Sequence, residues 1–270
     1  MNRINQRLAA LKSNNKKALV TYIVSGDPKP DTTLHTMHAL VANGADIIEL
    51  GVPFSDPMAE GVVIQLGHER ALTHNVSLLS TLAVVAEFRK QDSDTPVVLM
   101  GYANPIERMG RTQFIEKALH AGVDGLITVD LPPEEAIDFN RQLREAGLEN
   151  IYLLAPTTSK ERISKVLEHA GGFVYYVSVK GVTGAGHLDV ESVREKLALI
   201  KEYTTLPICV GFGIKDGASA KAVAQYADGA VVGSVLVDKM GQMDGETSTS
   251  IASAVGELVG AIRKGLDSNA

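Results

Sequence analysis

The sequence predicts an α/β fold in which eight parallel strands and their connecting helices close into a (β/α)8 barrel, the TIM-barrel architecture. Eight short apolar runs rich in β-branched residues recur along the chain. They are continuously apolar rather than alternating, which is typical of strands covered on both faces. Most runs begin roughly 23–33 residues after the preceding one, about one βαβ unit. Since no linker or low-complexity stretch interrupts them, we expect one domain over residues 1–270, with a doubly wound open sheet as the alternative fold.

The predicted strands can be placed directly on the sequence. They are ALVTYIV from Ala18, ADIIEL from Ala45, PVVLMGY from Pro96, DGLITVD from Asp124, NIYLLAP from Asn150, FVYYVSV from Phe173, LPICVGF from Leu206 and GAVVGSV from Gly229. The polar segment MNRINQRLAALKSNNKK predicts a helix before the first strand, and the long interval between strands 2 and 3 has room for two helices.

Start and stop signals bound the helices between these strands. Asp31 or Thr33 is a suitable N-cap for the helix after strand 1, and Gly44 ends that helix. Thr158 and Glu161 have the spacing of a capping box for the helix after strand 5.

Composition narrows the class of protein. The chain has 32 acidic and 26 basic residues and a net charge of −6, which argues against the basic face that a nucleic-acid partner requires. The single cysteine, Cys209, excludes an intramolecular disulfide and fits a reducing compartment. No apolar run reaches the roughly 18 residues of a membrane span, and the N-terminus lacks the apolar core of a signal peptide. We therefore expect a cytoplasmic protein with no nucleic-acid or membrane partner.

Two acidic residues stand out in ELGVPFSDPMAEGVVIQ. Glu49 ends the second predicted strand, and Glu60 follows in the next loop. In this fold the last residues of a strand line the mouth where active sites lie. Apolar surroundings disfavour the charged carboxylate and raise its pKa towards the range useful for acid–base catalysis. The sequence therefore favours a catalytic role for Glu49 over a solvent-exposed charge.

Glycine-rich turns follow the last two strands. Gly211 and Gly213 lie in ICVGFGIKDG after strand 7, and Gly233 and Ser234 follow strand 8 before a short helix. Glycines let backbone N–H groups approach an anion, and a helix N-terminus adds the positive end of its dipole. Because this fold usually binds phosphate with these two loops, a phosphate-binding site is predicted there.

The chemistry is narrowed further by what the strands lack. None of the eight runs contains lysine or histidine, so neither a Schiff base nor an imidazole metal site is expected on them. The glycine-rich loop KGVTGAGHL after strand 6 is either a flexible connection or a lid that closes over substrate and presents Thr183. Carboxylates, Tyr102, Tyr175 and apolar side chains remain at the mouth. They could break a carbon–carbon bond by acid–base catalysis only if the substrate supplied its own electron sink.

Six motifs give the chain a family resemblance over nearly its whole length. The most specific is ELGVPFSDPMAEG, supported by MGYANP, VDLPPEE, APTT, VSVKGVTGAG and VGFGI. Through them the chain resembles the tryptophan synthase alpha chain family. The resemblance implies cleavage of indole-3-glycerol phosphate into indole and glyceraldehyde 3-phosphate, with the protonated indole ring as the electron sink.

The resemblance also implies roles for particular residues. Glu49 would protonate indole C3 and take the proton from the glycerol hydroxyl next to the breaking bond, and Glu60 would face the ring N–H. The family most often has aspartate in place of Glu60, and often proline in place of Val62. The implied indole pocket, for which ordinary barrel packing is the alternative, is Tyr22, Ile64, Met100, Tyr102, Ile127, Val129 and Leu153. Tyr175 would lie near the glycerol chain, and Thr183 would help to close the lid. The implied phosphate-binding residues are Gly184, Gly211, Phe212, Gly213, Gly233 and Ser234.

A partner follows from the same resemblance. It is a beta chain that carries pyridoxal phosphate, in an assembly of two alpha and two beta chains, with no cofactor in the alpha chain itself. Val52, Pro53, Pro57 and Met58 form an apolar loop at the mouth that would face this partner, or that rigidly supports the loop. Another sugar-phosphate barrel enzyme and a non-catalytic phosphate-binding subunit remain as alternative functions.

Overall fold

The computed structural model describes residues 2–178, 190–211 and 213–268. Within these ranges nine strands and twelve helices are found. The strands are β1 (Ala18–Val24), β2 (Ile47–Gly51), β3 (Val97–Gly101), β4 (Gly125–Thr128), β5 (Glu149–Asn150), β6 (Tyr152–Leu154), β7 (Val174–Val177), β8 (Ile208–Gly211) and β9 (Gly229–Val232). The helices are α1 (Arg3–Ser13), α2 (Pro30–Ala42), α3 (Val62–Thr73), α4 (Leu78–Phe88), α5 (Ala103–Met109), α6 (Arg111–Ala121), α7 (Ile137–Glu145), α8 (Lys160–Leu167), α9 (Val190–Lys201), α10 (Gly217–Ala224), α11 (Ser234–Gln242) and α12 (Ser248–Asp267).

The strands form one parallel barrel. Neighbours follow the order β5-β4-β3-β2-β1-β9-β8-β7-β6. β5 and β6 are the two halves of the fifth predicted strand: β5 pairs with β4, and β6 pairs with β7. Between them the Ile151 N–H donates to the Leu126 carbonyl at 2.9 Å, which joins the two ends of the sheet. The predicted (β/α)8 barrel is confirmed, and the open doubly wound sheet is wrong.

Side chains alternate between the barrel interior and the layer between strands and helices. Ile48 and Leu50 of β2 belong to the outer apolar cluster, which includes many helix residues, whereas Ile47 belongs to the inner cluster. Glu49 is two residues from Ile47 and therefore faces the interior. The position of this carboxylate thus follows from the period of the strand.

The helix complement agrees with the sequence in outline. An N-terminal helix precedes β1, and two helices, α3 and α4, follow β2, both as predicted. A second pair, α5 and α6, follows β3 and was not predicted. No single helix in the described ranges is long and apolar enough to cross a membrane, although α3 and α4, bent by 93° at their junction, reach that length and composition when counted together.

The predicted start of α2 is wrong. The helix begins at Pro30 with Lys29 as its N-cap, and neither Asp31 nor Thr33 caps it. Proline suits the first helical position because the missing N–H needs no acceptor there. Thr33 instead accepts a hydrogen bond from the Gly26 N–H at 2.7 Å, which fixes the loop after β1.

The predicted capping box of α8 does not form, and the N-cap lies one residue later than predicted. Ser159 is the N-cap, and its hydroxyl accepts the N–H of Arg162. The Thr158 hydroxyl accepts the N–H of Ala155 at 2.9 Å and so closes the preceding turn. Both adjacent hydroxyl residues are suitable N-caps, and only the backbone conformation decides between them.

Candidate active site

A cavity of about 200 Å³ opens at the carboxyl ends of the barrel strands. It brings together ten residues that the sequence predicted: Tyr22, Glu60, Ile64, Met100, Val129, Leu153, Tyr175, Gly213, Gly233 and Ser234. Six further residues complete its lining: Ala59, Val177, Ile214, Lys215, Val231 and Val235. The cavity therefore combines an apolar interior with a glycine-rich edge, at the end of the barrel where this fold places its active sites.

Glu49 is buried beside this cavity. Its side chain is fully enclosed, and neither carboxyl oxygen has a hydrogen-bond partner among the residues that the structure describes. Burial, and to a smaller extent the charge of Glu60, raise the pKa of Glu49 from 4.5 to about 8. Its charge also acts on the hydroxyls of Tyr175 and Tyr22, which line the cavity. Glu49 is therefore a protonated acid at neutral pH, adjacent to the cavity.

Glu60 lies on the cavity wall, directly before α3. Burial raises its pKa from 4.5 to about 7, so near neutral pH the carboxyl is divided between its two forms. The two acids thus differ in environment, with the more deeply buried one holding its proton more tightly. Pairs of titratable groups whose pKa values are separated in this way are typical of acid–base sites.

Three predicted residues lie close to the cavity without lining it. Ile127 is fully buried in the inner cluster. Tyr102 lies behind the loop after β2: its hydroxyl accepts the Ala59 N–H at 3.0 Å, and its ring stacks on Phe54 at 4.8 Å. Gly211 ends β8 under the ring of Tyr175. These residues support the walls from behind.

Two strand-end glycines leave room for the tyrosines of neighbouring strands. A Cβ atom at Gly211 would collide with the hydroxyl end of Tyr175, and one at Gly51 would collide with that of Tyr22. Both tyrosines are more than nine-tenths buried. The glycines therefore allow two phenol groups to extend across the mouth of the barrel.

The glycine-rich edge has the features of an anion site. Gly213 has a φ of +84°, a conformation that glycine adopts without strain. Gly233 is the N-cap of α11, and Ser234 is its first residue, so the first backbone N–H groups of this helix have no acceptor within the helix. Lys215 lines the same cavity and adds a positive charge. Backbone donors, a helix terminus and an ammonium group converge at this edge.

Three predicted site residues lie outside the described residues. They are Thr183 and Gly184 in the loop predicted to be a lid, and Phe212 between the two glycines after strand 7.

Some of the cavity-lining residues missed by sequence reasoning carry a recoverable signal. Val177 lies two residues after Tyr175, and Val231 lies two residues before Gly233, so the alternation of a strand places each pair on the same face. Lys215 follows a glycine-rich turn directly. His68 has no such signal, since a lone histidine within a helix belongs to no motif. It contacts both Tyr22 and the loop that bears Glu60.

Other parts of the molecule have fewer features of an active site. A cavity of about 450 Å³ lies at the amino end of the barrel between α1 and the segment before β8, and its lining includes four lysines. Within the described ranges, no three histidine, cysteine, aspartate or glutamate side chains are grouped as metal ligands would be. The paired carboxylates therefore remain the principal chemical feature.

Fold and site together define a (β/α)8-barrel protein with two buried carboxyl groups and a glycine-rich edge at the carboxyl ends of its strands. The sequence model of the tryptophan synthase alpha chain family matches residues 8–264. The tryptophan synthase alpha chain of Thioalkalivibrio sulfidiphilus is 54% identical over 267 residues, which are 99% of this chain and 100% of that one. That of Janthinobacterium sp. is also 54% identical, with the same coverage.

Solved structures agree with the sequence comparison. The tryptophan synthase subunit alpha of Legionella pneumophila superimposes with a TM-score of 0.92 at 45% identity, covering 100% of both chains. Mycobacterium tuberculosis tryptophan synthase superimposes with a TM-score of 0.88 at 35% identity, covering 99% of each. The chain belongs to the tryptophan synthase alpha chain family, as its motifs predict. It is a carbon–carbon lyase that cleaves indole-3-glycerol phosphate to indole and glyceraldehyde 3-phosphate.

Proposed function

We propose that Glu49 and Glu60 are the catalytic pair of this lyase reaction. The observation that carries the proposal is the placement of two buried carboxyls, with pKa values of about 8 and about 7, at one apolar cavity. A general acid works best when its pKa lies near the operating pH. Glu49 meets that condition as a proton donor. Glu60, with the lower pKa, is readily ionised and supplies the carboxylate.

The reaction then proceeds in two proton transfers. Protonated Glu49 delivers its proton to indole C3, and the Glu60 carboxylate stabilises the positive charge that develops at the ring N–H. Glu49, now ionised, takes the proton from the glycerol hydroxyl next to the breaking bond. The hydroxyl oxygen becomes the aldehyde oxygen, the carbon–carbon bond breaks, and its electron pair returns to the ring. Glu49 ends protonated, so the site is restored after each turnover.

The cavity is suited to bind the two ends of the substrate, the indole ring and the phosphate group. The apolar wall binds the indole ring through Tyr22, Ile64, Met100, Val129 and Leu153, with Tyr175 beside the glycerol chain. Gly213, Gly233 and Ser234 bind the phosphate through backbone N–H groups and the start of α11, and Lys215 adds its charge. Thr183, Gly184 and Phe212 complete the site in this proposal. Tyr102, Ile127 and Gly211 support it from behind.

The proposal includes an assembly. The chain works without a cofactor of its own and docks on a beta chain that carries pyridoxal phosphate, as two alpha and two beta chains in the cytoplasm. The exposed apolar side chains of Met58 and Val62, next to Glu60, support a docking surface at the mouth. Indole released there would pass directly to the partner.

The test is release of indole from indole-3-glycerol phosphate by the purified chain, with and without the substitution Glu49→Gln. This change keeps volume and removes proton transfer, so kcat should fall about 10²–10⁴-fold with KM little changed. Glu145→Gln, an exposed glutamate on α7, is the matched control and should retain parental kinetics. Absence of indole release by the parent would favour a non-catalytic subunit, and a loss in Glu49→Gln of less than about tenfold would remove Glu49 from the mechanism.

A further inference from the structure

His68 is a buried residue of α3 that joins two parts of the site. Its side chain is 1% exposed. The Nδ1 atom lies 3.0 Å from the backbone nitrogen of Phe54, in the loop between β2 and α3. The Nε2 atom lies 3.3 Å from the hydroxyl oxygen of Tyr22, which lines the cavity. One imidazole therefore contacts both the loop that bears Glu60 and a phenol of the pocket wall.

The two contacts determine the protonation of the ring. The backbone N–H of Phe54 can only donate, so Nδ1 must be unprotonated and accept. Burial lowers the pKa of His68 to about 4, so the ring is neutral and carries its proton on Nε2. The Nε2–H then donates to the Tyr22 oxygen. The proton of the Tyr22 hydroxyl remains available for the cavity, where the carboxyl groups of Glu60 and Glu49 are its titratable neighbours.

The loop that bears Glu60 has a second anchor. Tyr102 accepts the Ala59 N–H at 3.0 Å, one residue before Glu60, and stacks on the ring of Phe54. His68 holds Phe54 at the other end of the loop. With both ends fixed, the Glu60 carboxylate is held in place although it forms no ion pair with any cation in the described part of the chain.

We propose that His68 is a positioning residue for the cleavage reaction, acting in its neutral Nε2–H form to fix the Glu60 loop and to orient the Tyr22 hydroxyl towards the cavity. The inference rests on the proposed role of Glu60. It predicts an effect mainly on kcat, because a displacement of about 1 Å in a catalytic group can cost about 10²-fold in rate. His68 itself does not line the cavity or its glycine-rich edge, so KM should change little.

Three substitutions separate the two contacts. In His68→Asn the amide oxygen can take the place of Nδ1 and keep the Phe54 bond. In His68→Gln the amide nitrogen can take the place of Nε2 and keep only the Tyr22 bond. His68→Phe removes both. His38→Gln is the control, since His38 packs on Phe88 away from the loop.

Each variant is tested by three measurements: steady-state kinetics of indole release, thermal unfolding, and amide hydrogen exchange in the region of Phe54 and Ala59. We expect kcat to fall about 10²-fold in His68→Phe and roughly tenfold in His68→Gln, with faster exchange of the Phe54 amide in both. His68→Asn should keep the protection of this amide and recover most of kcat. The control, His38→Gln, should keep both the parental kcat and the parental protection of the Phe54 amide.

The results distinguish failure of the inference from failure of the proposed function. Equal kcat and equal protection in all variants, with an active parent, would overturn the role of His68 alone. So would losses that follow the unfolding temperature rather than loop protection, or a rise in KM at constant kcat. If the parent releases no indole, the proposed function fails, while the exchange data still show whether His68 fixes the loop.

Discussion

At the scale of single residues, Glu49 shows a conflict between stability and chemistry. Its pKa in the folded chain is about 8, against an ordinary value of 4.5. Between these pH values the folded chain holds a proton that the unfolded chain has released. Stability contributed by this group is therefore full below about pH 4.5 and falls as pH rises towards 8. An apolar side chain at this buried position would not carry that cost in stability. The presence of a carboxyl group is therefore consistent with selection for proton transfer.

The pH dependence of cleavage should be bell-shaped. Ionisation of Glu60, with a pKa of about 7, should raise kcat/KM with increasing pH, and loss of the Glu49 proton, with a pKa of about 8, should lower it again. Because the two groups interact, each limb belongs to the pair. In Glu60→Gln the acidic limb near pH 7 should disappear and the rate should fall about 10²–10³-fold. Indole release measured across the pH range tests this, and an unchanged acidic limb in Glu60→Gln would assign it to another group.

Lys215 should contribute to binding rather than to chemistry. It is exposed at the glycine-rich edge of the cavity, where an ammonium group would pair with a phosphate. Lys215→Gln should raise KM by about tenfold and leave kcat nearly unchanged, and Lys215→Arg should retain most of the affinity. The dependence of KM on salt should weaken in Lys215→Gln. Lys165→Gln, an equal change of charge at an exposed position of α8, is the control. A parental KM in Lys215→Gln would exclude the contact.

At the scale of elements, the period of the strands explains most of what the sequence predicts. Glu49 faces the interior because Ile47 does, and the same alternation places Met100 and Tyr175. Boundaries are less well predicted. The caps of α2 and α8 both differ from the predicted residues, since several suitable residues lie side by side and the pattern alone does not choose between them. The contacts of His68 are tertiary and leave no local pattern.

A substitution at the end of β8 tests the packing of the mouth. Gly211→Ala would place a methyl group against the ring of Tyr175. It should lower the free energy of unfolding by about 1–3 kcal/mol, the usual effect of overpacking, and raise KM by displacing the ring. Denaturant unfolding measures the loss. In the Tyr175→Ala background the same substitution should cost less than half as much. An equal cost in both backgrounds would place the conflict elsewhere.

At the scale of the whole molecule, the surface near the mouth differs from the rest of this acidic chain. Met58 is 77% exposed, and Val62 and Leu66, one turn apart on α3, are 69% and 47% exposed. Met58 and Val62 each lie two residues from Glu60 in the sequence, and Leu66 follows one helical turn after Val62, so these exposed apolar side chains make up a patch near Glu60. Exposed patches of this kind often mark protein–protein interfaces. A partner that covers this patch would contact the same loop that carries Glu60, the proposed second carboxylate of the reaction.

Docking of a beta chain should therefore speed cleavage in this chain. Covering the patch would restrict the loop at residues 52–61 to the arrangement in which Glu60 faces the ring, and would exclude water from the cavity. Titration of the purified chain with beta chain should raise kcat for indole release until the sites are filled.

Met58→Asp should weaken that association by at least about tenfold, because it buries a charge at the centre of the contact. Without beta chain, the rate of Met58→Asp should be close to that of the isolated parent. With beta chain, it should fall further below the rate of the parent complex. Leu119→Asp, at an exposed apolar position near the end of α6 and the amino end of the barrel, should associate normally. If beta chain leaves kcat unchanged at saturation, or if Met58→Asp and Leu119→Asp bind equally well, the patch is not the surface that couples the two chains.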